Sequence, residues 1–182
     1  METTLSSQNF LEPNKLVKSF NLESGDYIAD FGTGHGFFAM AMARMVGGNG
    51  KVYAIDIQKS ELEIIRARAK IEHLLNIETL WADLDQPQGS RLKDQSIDFV
   101  LIANMLFQSE NKPVMIQEAY RVLREKGRLA IIEWDETPGL MGPPQTMRVS
   151  KESLKDLGTK AGFKTNQEFE AGSHHYGLLF EK

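Results

Sequence analysis

Cysteine is absent from the chain, which excludes disulfides and thiolate metal sites. No apolar run approaches the roughly 20 residues that span a bilayer. There is no block of basic residues, and the net charge is −4. That balance argues against nucleic acid or an anionic membrane as the main partner. Met1-Glu2-Thr3-Thr4 lacks the basic start and apolar core of a signal peptide, so the expectation is a cytoplasmic protein with no membrane insertion. Internal repeats, low-complexity tracts and linkers are missing too. The expectation is therefore one domain over residues 1–182, with residues 1–12 as an N-terminal segment flexible enough to act as a lid. A hydrophobic content of 41% in 182 residues is enough for a sizeable core.

What is present centres on Tyr27 to Val46. Tyr27-Ile28-Ala29-Asp30-Phe31 is a short apolar run that reads as a buried strand. Gly32-Thr33-Gly34-His35-Gly36 follows as a tight turn, and Phe37 to Val46, with Arg44 its one charge, reads as a buried helix. Strand, glycine turn and helix form a nucleotide-binding start, because glycines let the backbone approach a ligand closely. A dinucleotide fingerprint needs Gly-x-Gly-x-x-Gly. Here the third glycine comes one residue early, at Gly36. Asp30 at the strand end would repel a pyrophosphate but can pair with an ammonium. An amino acid ammonium beside a nucleoside is what S-adenosylmethionine offers. The competing reading is a plain glycine turn.

The second strand, Lys51 to Asp56, ends in a carboxylate about twenty residues past the glycine turn. Asp56 can accept both hydroxyls of a ribose there, or cap the next helix. Ser60-Glu61-Leu62-Glu63 reads as a capping box. The helix it opens carries an apolar stripe of Leu62, Ile65 and Ala69 with Ile64, Ile71 and Leu75. His73 falls late in it, as a surface residue near the C-terminus. After the third strand, Ile77 to Trp81, Asp83 can accept from an adenine amino group while the N–H of Leu84 meets a ring nitrogen; a turn-capping aspartate is the alternative.

The unbroken run Ile97 to Ala103 suits the centre of a parallel sheet. Asn104 and Phe107 lie just past its C-terminal end, where open α/β sheets hold ligands. Pro13 to Phe20 reads as a short helix, with Phe10 and Leu11 either stapling it to the core or closing over a ligand. Pro113 opens a helix that Gly127 is expected to end, followed by a fifth strand in Arg128 to Trp134. The loop Asp135 to Arg148 is long enough to wall a substrate pocket. Ser150 caps a last helix stopped by Gly162, and Phe163–Glu170 and His174–Phe180 read as an antiparallel pair. His174 and His175 point to opposite faces of their strand, so no metal site is expected. Together these elements predict an α/β fold. It is a single-domain Rossmann-like three-layer sandwich, with a seven-stranded, mostly parallel sheet and an antiparallel C-terminal strand.

In this order and spacing the motifs resemble class I S-adenosylmethionine-dependent methyltransferases, the broad group that includes the ubiquinone and menaquinone biosynthesis enzymes. The resemblance runs from about Pro13 to Lys182. It is carried by Asp30 to Gly36, Val52 to Ile57, Ala82-Asp83-Leu84, Asp98 to Asn104, and Ala119 to Leu123 with Gly127 to Leu129. It implies a glycine loop (Gly32, Thr33, Gly34, Gly36) under the methionine part and Asp30 acting through the ammonium network. It also implies Asp56 on the ribose, Ile57 against adenine, and a small-molecule methyl acceptor. The arsenic-methylating relatives use cysteines, which this chain lacks. No added N-terminal cap or insertion for substrate recognition is evident.

Methyl transfer is an in-line displacement, driven largely by orientation. A hydroxyl or enol acceptor would gain from a base, for which His35, His174, His175, Tyr176 and Glu133 are candidates and none is singled out. Phe10, Phe107, Trp134, His174 and Tyr176 are candidates for an acceptor pocket, although each aromatic also fits a core. Two other classes stay open. One is a non-catalytic S-adenosylmethionine-binding regulator or partner subunit. The other is an NAD(P)-dependent oxidoreductase, against which stand the early glycine, Asp30 and the lack of a Tyr-x-x-x-Lys pair.

Overall fold

The computed structural model describes residues 11–136 and 141–182. Phe10 and the centre of the 135–148 loop lie outside them.

Seven strands form one sheet in the order β3-β2-β1-β4-β5-β7-β6. They are β1 (Tyr27–Phe31), β2 (Lys51–Asp56), β3 (Ile77–Trp81), β4 (Ile97–Ala103), β5 (Leu123–Trp134), β6 (Lys164–Glu170) and β7 (His175–Glu181). The first five pair in parallel, while β7 is antiparallel to both β5 and β6. The helices are α1 (Pro13–Leu16), continued by a 3₁₀ turn over Val17–Phe20, then α2 (Phe37–Val46), α3 (Lys59–Ile71), α4 (Lys112–Val122) and α5 (Lys151–Ala161).

The central strands are covered on both faces, as their unbroken apolar runs require. Alternate side chains divide between two cores. On β4, Val100 and Ile102 pack with Met115 and Ala119 of α4 and Leu154 of α5. Phe99 and Leu101 pack with Ala39 and Met42 of α2 and Phe20 of the 3₁₀ turn. β1 is flanked by β2 on one side and β4 on the other. The chain therefore reverses its winding direction at β1, and a crevice opens above the carboxyl ends of β1 and β4.

Four sequence expectations are corrected. Helix α3 is capped at Gln58 with no side-chain cap bond, so the Ser60–Glu63 box is not used. Asp56 instead accepts the Gln58 N–H at 2.9 Å, starting the helix directly off β2. The buried face of α3 is Leu62, Ile65 and Ala69 alone. Ile71 is 76% and Leu75 95% exposed, because the helix ends at Ile71 and His73 turns the chain away with a φ of 55°. Helix α4 ends at Val122 rather than near Gly127. Leu123 already pairs with Ile97, and a register shift absorbs the residues between them and the Phe99–Arg128 pair. Finally, β7 begins at His175, one residue later than expected.

Candidate active site

A cavity of about 730 Å³ fills the crevice, a size typical of small-ligand sites. Its floor is the β1 end and the glycine loop: Asp30, Gly32, Thr33 and Gly34. Asp56, Ile57 and Gln58 form one side. Ala103, Asn104, Met105 and Gln108, with Asp85, form the other. Pro13 reaches it from the start of α1 and Leu11 from just before that helix, and Phe37 and Phe38 from α2.

The loop's shape follows from its residues. Gly32, Gly34 and Gly36 have φ values of 73°, 49° and 75°, which side chains strongly disfavour. A Cβ on Gly34 would meet nothing within 4 Å, so this backbone is open to an incoming ligand. The N–H groups of Gly32 and Thr33 both donate to Ile55 O, at 2.9 and 3.0 Å, which ties the loop to β2. Gly36 has another task. It caps α2, and a Cβ there would lie 2.5 Å from Ile65 Cγ1, so it admits α3 rather than lining the cavity.

The two carboxylates differ in setting. Asp56 accepts Gly34 N–H through one oxygen and Gln58 N–H through the other, both at 2.9 Å. Its orientation is fixed, and each oxygen keeps a lone pair for the cavity. Asp30 is buried and accepts the Thr33 hydroxyl at 2.7 Å. Burial pushes its carboxyl up to about 7, the Thr33 bond pulls the other way, and Asp56 nearby adds to the rise. Burial thus favours a proton on Asp30 or a positive group beside it. Asn104 has a left-handed φ of 52°, and its side-chain oxygen is buried with no hydrogen-bond partner among the described residues.

The other residues singled out from sequence sit elsewhere. Leu84 is buried in the core. Asp83 accepts Asp85 N–H at 3.0 Å, so Asp85 forms the wall at that point. Both Asp85 carboxylate oxygens are in turn held by the next loop, through the Ser109 hydroxyl and Glu110 N–H. Phe107 packs against the core. Tyr176 is buried and donates its hydroxyl to Val149 O. Trp134 packs on His175 with ring centroids 4.2 Å apart. Neither Trp134, His174 nor Tyr176 lines the main cavity. Nor do the remaining candidate bases. The His35 ring lies 3.2 Å from Glu61, and burial drives the His175 imidazole down to about 4. Phe37, Phe38, Gln58, Met105 and Gln108 were not singled out as ligand contacts, although each adjoins a recognised motif. Among the described residues, no cluster of three or more His, Asp or Glu could hold a metal, and no helix is long and apolar enough to cross a membrane.

The family model described as "Methyltransferase domain" matches residues 22–171. The chain belongs to this family. A relative from Pseudomonas putida, named ubiquinone/menaquinone biosynthesis C-methyltransferase, is 33% identical over 129 residues, which cover 68% of this chain and 49% of that protein. The chain spans about half the length of the curated relatives it matches. A solved S-adenosylmethionine-dependent methyltransferase from Aquifex aeolicus superposes with a TM-score of 0.85 at 29% identity, covering 94% of this chain and 89% of that one. The [4+2]-cyclase SpnF also superposes, with a TM-score of 0.79 over 93% of this chain and 80% of its own. At 17% identity that likeness is one of fold alone. The methyltransferase family thus accounts for the sheet order and for the crevice at its switch point.

Proposed function

We propose that the chain binds S-adenosylmethionine in the β1/β4 crevice and transfers its methyl group to a small-molecule acceptor. When bound, S-adenosylmethionine supplies a methyl group made electrophilic by the sulfonium. The observation that carries this reading is the pairing of Asp30 and Asp56 across one glycine loop. Asp30 is buried and accepts the Thr33 hydroxyl, and Asp56 is pre-oriented by two backbone donors. A pyrophosphate would meet two carboxylates here, which disfavours a nicotinamide cofactor. A ribose beside an amino acid ammonium suits both.

The residue roles follow. Asp56 accepts the ribose hydroxyls. Ile57, half exposed at the cavity wall, packs on the adenine, with Asp85 and behind it Asp83 on the polar edge. Asp30 and Thr33 serve the ammonium, and Gly32 and Gly34 admit the methionine backbone. Asn104, with its unpartnered oxygen, faces the reacting end. The titratable side chains of the described wall are Asp30, Asp56 and Asp85. All three are engaged in holding the loops, so transfer relies on orientation of an acceptor that is already nucleophilic.

Replacing Asp56 tests this. Asp56→Ala removes bonds to a charged group worth roughly 1.5–3 kcal/mol, so S-adenosylhomocysteine should bind about 10- to 150-fold more weakly by calorimetric titration. Unchanged affinity would reject the ribose assignment.

A further inference from the structure

Glu133 lies near the C-terminal end of β5 and is fully buried. A buried carboxyl is costly unless it holds neighbouring groups in place. Its Oε1 accepts Leu106 N–H at 2.7 Å and Phe107 N–H at 3.4 Å. Its Oε2 is buried with no hydrogen-bond partner among the described residues. Burial pushes this carboxyl up to about 7, against the pull of the Leu106 and Phe107 N–H groups. Its cross-strand partner on β7 is Tyr176, whose hydroxyl is spent on Val149 O. The segment from Ala103 to Phe107 carries no titratable side chain. Glu133 does not line the cavity.

What it holds does. Asn104, Met105 and Gln108 belong to the same loop and form the cavity wall. Asn104 is tied to β5 by its own N–H on Ile132 O at 2.8 Å. The Met105 side chain then lies directly over the glycine loop, where a Cβ on Gly32 would come within 2.6 Å of its Sδ. The loop's own turn bonds, Gln108 N–H to Met105 O and Ser109 N–H to Leu106 O, are long at 3.3 and 3.2 Å. They leave the Leu106 and Phe107 donors to Glu133.

We propose that Glu133 is a positioning residue, not a base: through the Leu106 and Phe107 N–H groups it sets the Asn104–Met105 wall against Gly32. The ligand part of its test rests on the cofactor reading above; the exchange part does not. Glu133→Gln keeps the acceptor oxygen and the size, whereas Glu133→Met keeps the bulk and removes the acceptor. S-adenosylhomocysteine should bind the Gln variant within about threefold of wild type and the Met variant at least about tenfold more weakly. Val46→Ala, in the opposite core at the end of α2 away from the glycine loop, should lower thermal stability without changing affinity. Amide hydrogen exchange should show Leu106 and Phe107 protected in wild type and Glu133→Gln, and exposed in Glu133→Met. Wild-type affinity and protection in the Met variant would overturn the proposal. So would equal loss in both variants, since the charge rather than the acceptor would then matter. If Glu133→Met does not fold, fast exchange at Leu106 in the wild-type protein would overturn it by itself. If wild type fails to bind the ligand, the cofactor reading fails and the exchange data still decide the role of Glu133.

Discussion

Asp30 and Asp56 stand 26 positions apart in sequence, on neighbouring parallel strands, yet Asp30 is held by the Thr33 hydroxyl and Asp56 by two backbone N–H groups. Between about 4 and 7, folded Asp30 holds a proton that the unfolded chain has released. Its contribution to stability is therefore full below that window and falls as pH rises through it. An ammonium in the site competes with the same proton. Affinity for S-adenosylhomocysteine should accordingly rise with pH up to about 7, approaching tenfold per unit at the acid end, and then level off until the ligand amine titrates. Titration across pH checks this, and Asp30→Asn should bind weakly with a flattened profile. These carboxylates were legible in the sequence because each ends an apolar strand, where chain direction fixes the side chain's place. Asp85 was not. Its position depends on the Ser109–Glu110 loop, which is distant in sequence.

Among the elements, strand and helix positions were largely readable from hydrophobic periodicity, and the boundaries less so. The α3 start was assigned to a local capping box, but the Asp56 carboxylate competes for the first free N–H. Gly127 looked like a helix stop because strand β5 absorbs the bulge that precedes it. Caps with a single local solution were legible. Ser150 accepts Ser153 N–H at 3.1 Å, and Gly162 takes a φ of 106° after α5. Ser150→Ala should therefore cost about 1 kcal/mol in chemical denaturation. At the start of α2 the requirement is stricter. Gly36→Ala would combine a left-handed φ with a clash against Ile65, so it should destabilise by roughly 2 kcal/mol or more and loosen the glycine loop with it. A melting temperature equal to wild type would show that α3 is not seated there.

A further tie spans the molecule between the β3–β4 connection and α4. Glu118 is buried, accepts Ser90 N–H at 3.0 Å and pairs with Arg121. Burial works against its charge, but Arg121 and Ser90 outweigh it and hold the carboxyl below the usual range. Its contribution is present at neutral pH and is lost as pH falls through that lowered value. Glu118→Leu leaves the Ser90 N–H uncompensated, while Arg121 keeps Asp94 and Leu92 O, and should cost roughly 1–3 kcal/mol by thermal or urea unfolding. At this scale the sequence carried the fold class, because alternating strands and helices admit few topologies. Phe107 and Tyr176 have the composition of a pocket wall, but Tyr176 is buried in the core and Phe107 packs against it. Aromatic side chains serve either purpose, and only tertiary packing decides.

The fold is shared with a cyclase, so the ligand decides the account. The most direct measurement is calorimetric titration of the wild-type protein with S-adenosylmethionine and S-adenosylhomocysteine, with NAD and NADP alongside. The account predicts binding of the two adenosyl amino acids and none of the nicotinamide cofactors. Binding of NAD or NADP instead, or of none of the four, would contradict it.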